Sequence, residues 1–239
     1  IMGSIFDGNS ATVGGVWRKF CVGRTVVKGN IFSNNSASQQ NGIGEVCGEF
    51  TQNLMINNSA ASLGVGRTRD NAGFGDGGIF TSNIMINNAS SFRDDVFGGS
   101  AFATYVVTSN NIFSSTNVAL SKTAKLANNI FLDNERDLFP LEGDDFYRIS
   151  NNYINIATIS SDFNIVGSEN YFSGFTLGFT NINERDFTLT SSSDLIDVGT
   201  TDTNLAYITN YDYTGTTARV IGVSIDIGPY EYVAISADS

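Results

Sequence analysis

The chain of 239 residues contains no histidine, only two cysteines and only two prolines. The absence of histidine excludes Ser-His-Asp and Cys-His catalysis and removes the commonest transition-metal ligand. Two cysteines are too few for a disulfide framework. No apolar run approaches the roughly 18 residues that a membrane-spanning helix needs, so we expect no membrane insertion.

Positive charge is also scarce, since 13 Lys and Arg residues stand against 24 Asp and Glu residues and give a net charge of −11. Such a charge repels polyanions, so we expect no nucleic-acid partner. The 25 glycines, together with many Asn, Ser and Thr residues, favour short strands and tight turns over helices. A hydrophobic content of 41% is sufficient for a continuous core.

An internal repeat is the strongest pattern that is present. Its unit is a polar residue, an aliphatic or aromatic residue and a second apolar residue, and its eight copies are Ser4–Phe6, Asn30–Phe32, Asn53–Met55, Asn83–Met85, Asn111–Phe113, Asn129–Phe131, Asn152–Ile154 and Asn170–Phe172. The mean spacing of about 24 residues suits one turn of a solenoid. We therefore predict an all-β parallel β-helix of about eight or nine coils.

Residues alternate between the two faces of a strand, so the first and third positions of the repeat share a face. We expect the apolar third position to stack inside the solenoid. The asparagines of the first position would turn inward at a bend and bond to one another and to turn backbone. This predicts a ladder of Asn30, Asn53, Asn83, Asn111, Asn129, Asn152 and Asn170.

The second position of the repeat then points outward. We call this column the isoleucine stripe, and it comprises Ile5, Ile31, Leu54, Ile84, Ile112, Ile130, Tyr153 and Tyr171. Contiguous exposed apolar surface usually marks an interaction site, so we predict that inserted loops or another subunit cover it. The alternative is that a bend turns both residues toward the core, or that β-branched residues simply suit the strand.

Two further sets of residues have regular positions in the repeat. Cys21 and Cys47 lie equally far after the first residue of a copy, which predicts neighbouring positions and either a disulfide or two buried thiols. Asn34, Asn57 and Asn88 begin N-x-S/T sequons, so glycosylation along one edge is a hypothesis, with chance occurrence as the alternative.

The repeat unit, with glycine pairs such as Gly14-Gly15 before strands, resembles the repeats of secreted bacterial β-helical surface proteins, including polymorphic outer-membrane proteins. The C-terminal third is similar to the ending of the choice-of-anchor Q domain family. The matching segments are Asp186–Leu189, Asp194–Gly199 and Ile225–Tyr232, with Ser193-Asp194-Leu195 and Pro229 as departures from the family pattern. The resemblance implies an extracellular, right-handed, single-stranded β-helix that residues 181–239 close after repeat coils in 1–180, as one domain 1–239.

Carbohydrate chemistry is the main alternative to a structural role, because β-helices often carry polysaccharide lyases or hydrolases. Paired carboxylates could bind Ca²⁺ or act as acid and base, and the strongest candidate group is Glu142, Asp144 and Asp145. Other candidates are Asp94-Asp95 and a loop with Arg67, Arg69, Asp70 and Asp76. Solvated surface loops are the favoured explanation for each of these groups, because surface loops are normally charged and polar.

The sequence begins directly with a repeat, at Ile1–Phe6, so we expect either that a preceding domain was removed or that an open coil docks onto another subunit. We interpret the chain as a non-catalytic extracellular protein, a structural or adhesive cell-surface subunit that forms filaments through end-to-end and lateral contacts. The alternative function is a carbohydrate-active enzyme or a carbohydrate-binding module, with cell-surface carbohydrate as its partner. Apart from the Ca²⁺ considered above, we expect no cofactor.

Overall fold

The computed structural model describes residues 1–17, 20–40, 42–60, 66–69, 79–90, 97–98, 107–109, 111–114, 118–119, 125–132, 138–139, 146–154, 164–166, 174–202 and 206–234. Within these ranges the regular structure is all β, apart from one 3-10 turn at Ile182–Glu184. The predicted all-β class is confirmed. The same ranges contain no helix of the length and apolarity that a bilayer crossing requires.

Sheet 1 is a parallel sheet of seven short strands, one from each copy of the repeat from Ser4 to Ile154. In spatial order its strands are β1 (Ile5–Asp7), β4 (Ile31–Ser33), β7 (Leu54–Ile56), β11 (Ile84–Ile86), β15 (Ile112–Ser114), β18 (Ile130–Leu132) and β21 (Tyr153–Ile154). Equivalent residues of the repeat are direct partners throughout. The periodicity of the sequence is therefore the register of this sheet.

Sheet 2 is formed by the strands that precede those of sheet 1 in the chain. It contains β3 (Phe20–Lys28), β6 (Gly44–Thr51), β9 (Gly66–Arg69), β10 (Ile79–Thr81), β13 (Phe97–Gly98), β14 (Val107–Ser109), β16 (Val118–Ala119), β17 (Lys125–Ala127), β19 (Leu138–Phe139), β20 (Phe146–Ser150) and β22 (Asn164–Val166). All of its described pairings are parallel, and the long strand β6 joins two stacks because it pairs with β9 through its first half and with β10 through its second half.

Sheet 3 follows sheet 1 in the chain and is also parallel. Its strands are β2 (Ser10–Val13), β5 (Ser36–Gln40), β8 (Ser59–Ala60) and β12 (Ala89–Ser90). The remaining two strands, β23 (Phe179–Asn181) and β24 (Asp186–Leu189), form an antiparallel hairpin around the 3-10 turn. Three parallel sheets in the same register are compatible with a β-helix or another solenoid.

The third position of the repeat packs inside, as its apolar character predicts. Phe32, Met55, Met85 and Phe131 are all fully buried. Phe6 and Phe32 stack with ring centroids 5.1 Å apart and nearly parallel planes, and Trp17 meets both rings edge-on. Fully burying each such side chain contributes about 1.5–3 kcal/mol, so this column is a major source of stability.

The first position of the repeat forms a continuous ladder, the first asparagine ladder, with members Asn30, Asn53, Asn83, Asn111, Asn129 and Asn152. All six are buried. Each member from Asn30 to Asn129 donates its backbone N–H and its Nδ2–H to the Oδ1 of the next member, at 2.8–3.2 Å. All these hydrogen bonds run in the same direction, from one repeat to the repeat that follows it in the chain. Asn170 lies outside the described residues.

A second asparagine ladder lies five residues further along each repeat, at Asn9, Asn35, Asn58 and Asn88. It uses the same pattern of bonds, at 2.9–3.1 Å. Its Nδ2 groups also donate to strand carbonyls, as Asn58 does to Phe32 at 3.0 Å. Their constant spacing of five residues from the first position of the repeat is the sequence signal for this second ladder.

Where the preceding residue is described, a ladder asparagine follows a residue in the left-handed backbone region, which makes the corner. Before the second ladder these residues are Gly8, Asn34, Asn57 and Asn87. Before the first ladder they are Gly29, Gln52, Ser82, Asn128 and Asn151, and Gly3 lies before Ser4 at the equivalent position of the first repeat. Glycine and asparagine adopt this conformation at low cost, which explains the recurrent Gly-Asn and Asn-Asn pairs. The residues that precede the first position of the repeat, namely Gly3, Gly29, Gln52, Ser82, Asn128 and Asn151, are called the corner column.

Candidate interaction surface

The isoleucine stripe lies on the outer face of sheet 1, in register from Ile5 to Tyr153. Its exposure changes along the sheet. The side chain of Ile5 is 70% exposed and that of Ile31 is 37% exposed, whereas Ile84, Ile112 and Ile130 are buried. Tyr171 lies outside the described residues. The outer face is therefore open at the first two repeats and covered from the fourth repeat onward.

The cover is the chain's own C-terminal segment, residues 174–234. Its buried side chains Phe187, Leu189, Leu195 and Ile227 share one cluster with stripe residues. The other members of that cluster are Ile84, Ile86, Ile112, Ile130 and Leu132, and the partly buried side chains packed against it include Phe175, Leu177, Phe179, Tyr213, Tyr230 and Tyr232. Among the described residues these contacts come from the C-terminal segment, and cover of the stripe by inserted loops or another subunit stays a prediction.

The stretch Ile225–Tyr232 in the C-terminal segment forms no regular strand. It packs against the outer face of sheet 1 through Ile227 and does not extend one of the parallel sheets. Gly228 approaches Ile130 so closely that an added Cβ would lie 2.6 Å from the Ile130 Cδ1. The backbone φ of Gly228 is 106°, a region that favours glycine, so a larger residue would strain the chain where it packs against the stripe.

The corner column holds this segment in place through hydrogen bonds. Asn128 donates to the carbonyl of Thr200 at 3.0 Å and accepts from its N–H at 2.7 Å. Asn151 donates to the carbonyl of Val198 at 2.8 Å, and Gln52 donates to the carbonyl of Asp212. In the first two repeats the equivalent residues are Gly3 and Gly29, which have no side chain to donate. The buried hydroxyl of Ser82 has no hydrogen-bond partner among the described residues, so the bonds from this column to the segment come from Gln52, Asn128 and Asn151.

Replacing Asn128 by glycine tests this role without straining the backbone, because glycine accepts the left-handed conformation of that position. We expect Asn128→Gly to lower the free energy of unfolding by about 1–3 kcal/mol, since it removes two hydrogen bonds to the segment. Asn57→Gly is the matched control, as Asn57 has a similar φ but is exposed. Equal losses for both variants in urea unfolding would contradict the docking role.

Within the C-terminal segment, Asp194–Gly199 and Ile225–Tyr232 are joined by hydrogen bonds. Asp226 accepts hydrogen bonds from the N–H of Asp197 at 2.8 Å and from the N–H of Tyr232 at 2.5 Å. The N–H of Ile227 donates to the carbonyl of Leu195 at 3.0 Å. Asp194–Gly199 and Ile225–Tyr232 are therefore a structural pair, and their carboxylates satisfy backbone donors.

A buried ion pair joins Arg219 to Glu231, which belongs to the second of these two stretches. The Nη1 of Arg219 is 3.0 Å from the Oε1 of Glu231, and both side chains are almost fully buried. Asp212 and Asp226 are buried beside them. Burial raises the pKa of Glu231 to about 8, against the opposing effect of Arg219, and burial likewise raises the pKa of Asp226. One guanidinium thus neutralises part of a cluster that contains three carboxyl groups.

The segment also carries an exposed apolar loop, Val220–Val223. Its three apolar side chains are 48%, 46% and 94% exposed at Val220, Ile221 and Val223. The loop is fixed at both ends, since Arg219 is buried and the N–H of Ser224 donates to Asp197 at 3.1 Å. An exposed apolar loop on a fixed base is a candidate contact surface.

Strands β3 and β6, which contain the two cysteines, are neighbours in sheet 2. Phe20 and Val46 are direct partners, and they immediately precede Cys21 and Cys47, although the register shifts between Phe20 and Thr25. Whether these cysteines form a disulfide stays a prediction.

The three sequons do not lie along one edge. Asn34 and Asn57 are exposed corner residues in equivalent positions. Asn88 aligns instead with Asn58 in the second asparagine ladder, where it is buried and its Nδ2 donates to the carbonyl of Met55 at 3.0 Å. A glycan on that nitrogen would displace the ladder, so in the folded chain only Asn34 and Asn57 present an accessible sequon.

The acidic candidates cannot be placed in the same way. Glu142, Asp144 and Asp145 lie outside the described residues, as do Asp70, Asp76 and Asp94-Asp95, while Arg67 and Arg69 belong to β9. The part of the chain that the structure does describe contains no group of three or more Asp, Glu or Cys side chains arranged to hold a metal ion. Ca²⁺ binding stays a prediction.

The outer face of sheet 1 therefore has a covered part and an open part. No protein-family model, no curated protein and no solved structure matches the chain.

Proposed function

We propose that this protein is an extracellular structural or adhesive subunit, built as a right-handed parallel β-helix of about eight or nine coils, that self-associates. The observation that carries the proposal is the open outer face of the first two repeats. There Met2 is 65% exposed and Ile5 is 70% exposed, next to Ile31 in the same column. Apolar side chains that are contiguous on a surface favour association.

The composition supports an extracellular location. A net charge of −11 on a chain rich in Asn, Ser and Thr favours solubility in an exposed environment. The resemblance of Asp194–Gly199 and Ile225–Tyr232 to the ending of choice-of-anchor Q domains points the same way. The hydrogen bond between Asp197 and Asp226 joins these two segments, which is consistent with their recurring together.

Self-association is tested on the unmodified protein by sedimentation velocity over a range of concentrations and by electron microscopy. We expect oligomers whose size increases with concentration, and elongated particles. A protein that stays monomeric up to its solubility limit and forms no fibres would refute the proposal.

A further inference from the structure

We infer that the C-terminal segment is a pH-operated cover, which leaves sheet 1 and unfolds locally when the buried carboxyl groups around Arg219 ionise, while the parallel sheets stay folded. Its departure exposes Ile84, Ile112 and Ile130 and so lengthens the open part of the isoleucine stripe. Undocking needs no second copy of the chain, so it is independent of the proposed self-association.

The segment is attached to sheet 1 by side chains and not by strand pairing. Its two described strands, β23 and β24, form a hairpin of their own and join none of the parallel sheets. The attachment consists of the apolar cluster over the stripe and of hydrogen bonds that include those from Gln52, Asn128 and Asn151. Such a segment can open without breaking a parallel sheet, as a local unfolding unit.

The segment also depends on sheet 1 for its core. Its buried side chains Phe187, Leu189, Leu195 and Ile227 belong to a cluster whose other buried members come from the sheet. Without that partner the segment loses its apolar core, so undocking admits water to the groups that are buried within it.

Those groups include more negative than positive charge once every carboxyl group is ionised. The guanidinium of Arg219 acts on Glu231, Asp226 and Asp212. Both carboxylate oxygens of Glu231 accept from the N–H of Asp226, at 3.2 and 3.3 Å, and the N–H of Glu231 donates to Asp212 at 3.3 Å. One cation cannot neutralise three buried carboxylates, and an uncompensated buried charge is strongly destabilising.

Two attachments to the parallel sheets involve members of this charge cluster directly. The backbone carbonyl of Asp212 accepts the hydrogen bond from Gln52. Arg219 donates to the carbonyl of Gly228, whose N–H donates to the carbonyl of Asn128. A displacement of either charged residue therefore disturbs the hydrogen bonds that hold the segment.

The third attachment follows the same rule. Asp226 accepts the N–H of Asp197, and the next residue, Val198, is the acceptor for Asn151. On the side of the parallel sheets these three hydrogen bonds come from amide side chains, which do not titrate. The response to pH therefore originates in the segment.

Other titratable groups face the cluster from within the segment. Asp197 acts on Asp226, and Tyr213 and Asp186 act on Tyr230. Burial raises the pKa of both tyrosines, so they stay neutral below pH 9. The carboxyl groups are thus the groups that change charge, and each ionisation adds negative charge.

The sign of the effect follows from the two states of Glu231. Burial raises its pKa from 4.5 to about 8 in the docked segment, and hydration on undocking returns the pKa toward 4.5. Undocking therefore releases a proton and is favoured as the pH rises through this interval. Above about pH 8 the carboxyl group is ionised in both states, so the dependence levels off.

The parallel sheets lack this sensitivity where the structure describes their interior. The first asparagine ladder bonds through amides, and the inner column consists of side chains such as Phe32, Met55 and Phe131. None of these groups titrates, so the sheets should keep their structure while the segment leaves.

Hydrogen exchange of the unmodified full chain, followed by mass spectrometry from pH 5 to 9, tests the inference. After correction for the intrinsic rate at each pH, exchange in residues 174–234 should rise by up to about tenfold per pH unit below pH 8 and then level off. Exchange in β4 and β7 should not change. Fluorescence of Trp17, which packs against Phe6 and Phe32 in the first repeats, should stay constant.

Glu231→Gln removes the ionisable group and retains an oxygen that can accept from the N–H of Asp226. We expect this variant to lose most of the pH dependence of exchange in the segment. Glu184→Gln is the matched control, since Glu184 is exposed in the 3-10 turn of the same segment, and it should respond to pH like the unmodified protein.

Three results would overturn the inference. The first is exchange in the segment that does not change with pH in the unmodified protein, which decides the matter even if Glu231→Gln does not fold. The second is a Glu231→Gln variant with the same pH dependence as the unmodified protein. The third is a parallel loss of protection in β4 and of the Trp17 signal, because the whole chain would then unfold together.

Discussion

Replacing Asn83 by alanine is expected to lower the free energy of unfolding by about 3–5 kcal/mol, because it opens the first asparagine ladder at its centre. The Oδ1 of Asn83 accepts from the N–H and the Nδ2–H of Asn53 at 2.9 and 3.0 Å, and its Nδ2 donates to Asn111 and to the carbonyl of Phe50. The variant leaves the buried backbone N–H of Asn53 without its acceptor, whereas the Nδ2 of Asn53 still donates to the carbonyls of Val27 and Thr51. An unpaired buried donor costs about 1–3 kcal/mol, and the loss of the other hydrogen bonds of Asn83 adds to that cost.

The control for this prediction is Asn9→Ala, at the exposed end of the second asparagine ladder. Asn9 donates to Asn35 but accepts nothing from the described residues, so its loss leaves no buried donor behind. We expect a change of at most about 1 kcal/mol for this variant. Urea unfolding followed by circular dichroism measures both variants, and a similar small loss for Asn83→Ala would show that the ladder is energetically unimportant.

Replacing Arg219 by methionine is the second large effect, with an expected loss of about 3–5 kcal/mol near neutral pH. The substitution retains apolar volume but removes the positive charge beside Glu231, Asp226 and Asp212. It leaves the buried carboxyl groups without a counter-charge. We expect the C-terminal segment to loosen and to expose Ile112 and Ile130, which fluorescent dye binding to apolar surface would detect.

The pH dependence distinguishes this charge effect from a packing effect. The pKa of Glu231 is raised from 4.5 to about 8, so the folded state takes up a proton in this interval and stability falls as the pH rises through it. Without Arg219 the pKa of Glu231 should rise further, because the carboxylate loses its partner, so the fall should continue to higher pH. The loss caused by Arg219→Met should therefore shrink below pH 4.5, where the carboxyl is neutral in both states.

Arg185→Met is the control for the arginine substitution, since Arg185 is exposed at the end of the 3-10 turn. We expect its effect to stay within about 0.5 kcal/mol. If Arg219→Met has the same cost at every pH, the charge of Arg219 is not the source of its stabilising effect.

The parallel pairing could be predicted from the sequence because the same three-residue pattern recurs with like residues at like positions. Strands built from Asn30–Phe32 and Asn53–Met55 satisfy one another's backbone and side-chain groups only in one register, the one that stacks asparagine on asparagine. The inward third position followed from strand alternation alone. The second asparagine ladder is equally regular in the sequence. Asparagine at a corner can either adopt the left-handed conformation or bond to the next repeat, and the spacing alone does not distinguish these two roles.

The cover of the isoleucine stripe could not be predicted in this way. Asn128 and Thr200 are 72 residues apart in the sequence, and Gln52 and Asp212 are 160 apart. Neither pair belongs to the repeat, so no periodicity relates them. The alternation of Phe175, Leu177 and Phe179 indicated a one-sided apolar segment, but not the face against which it packs.

The sequence by itself determined the all-β class, the register of the repeat and the polar and apolar columns, because these depend on local periodicity and on the identity of stacked residues. Only the tertiary structure decided that the C-terminal segment packs on sheet 1, that Arg219 and Glu231 form an ion pair within that segment, and that Ile5 and Ile31 stay open. Those outcomes depend on contacts between distant segments, which form only once the repeated strands have built a surface to pack against.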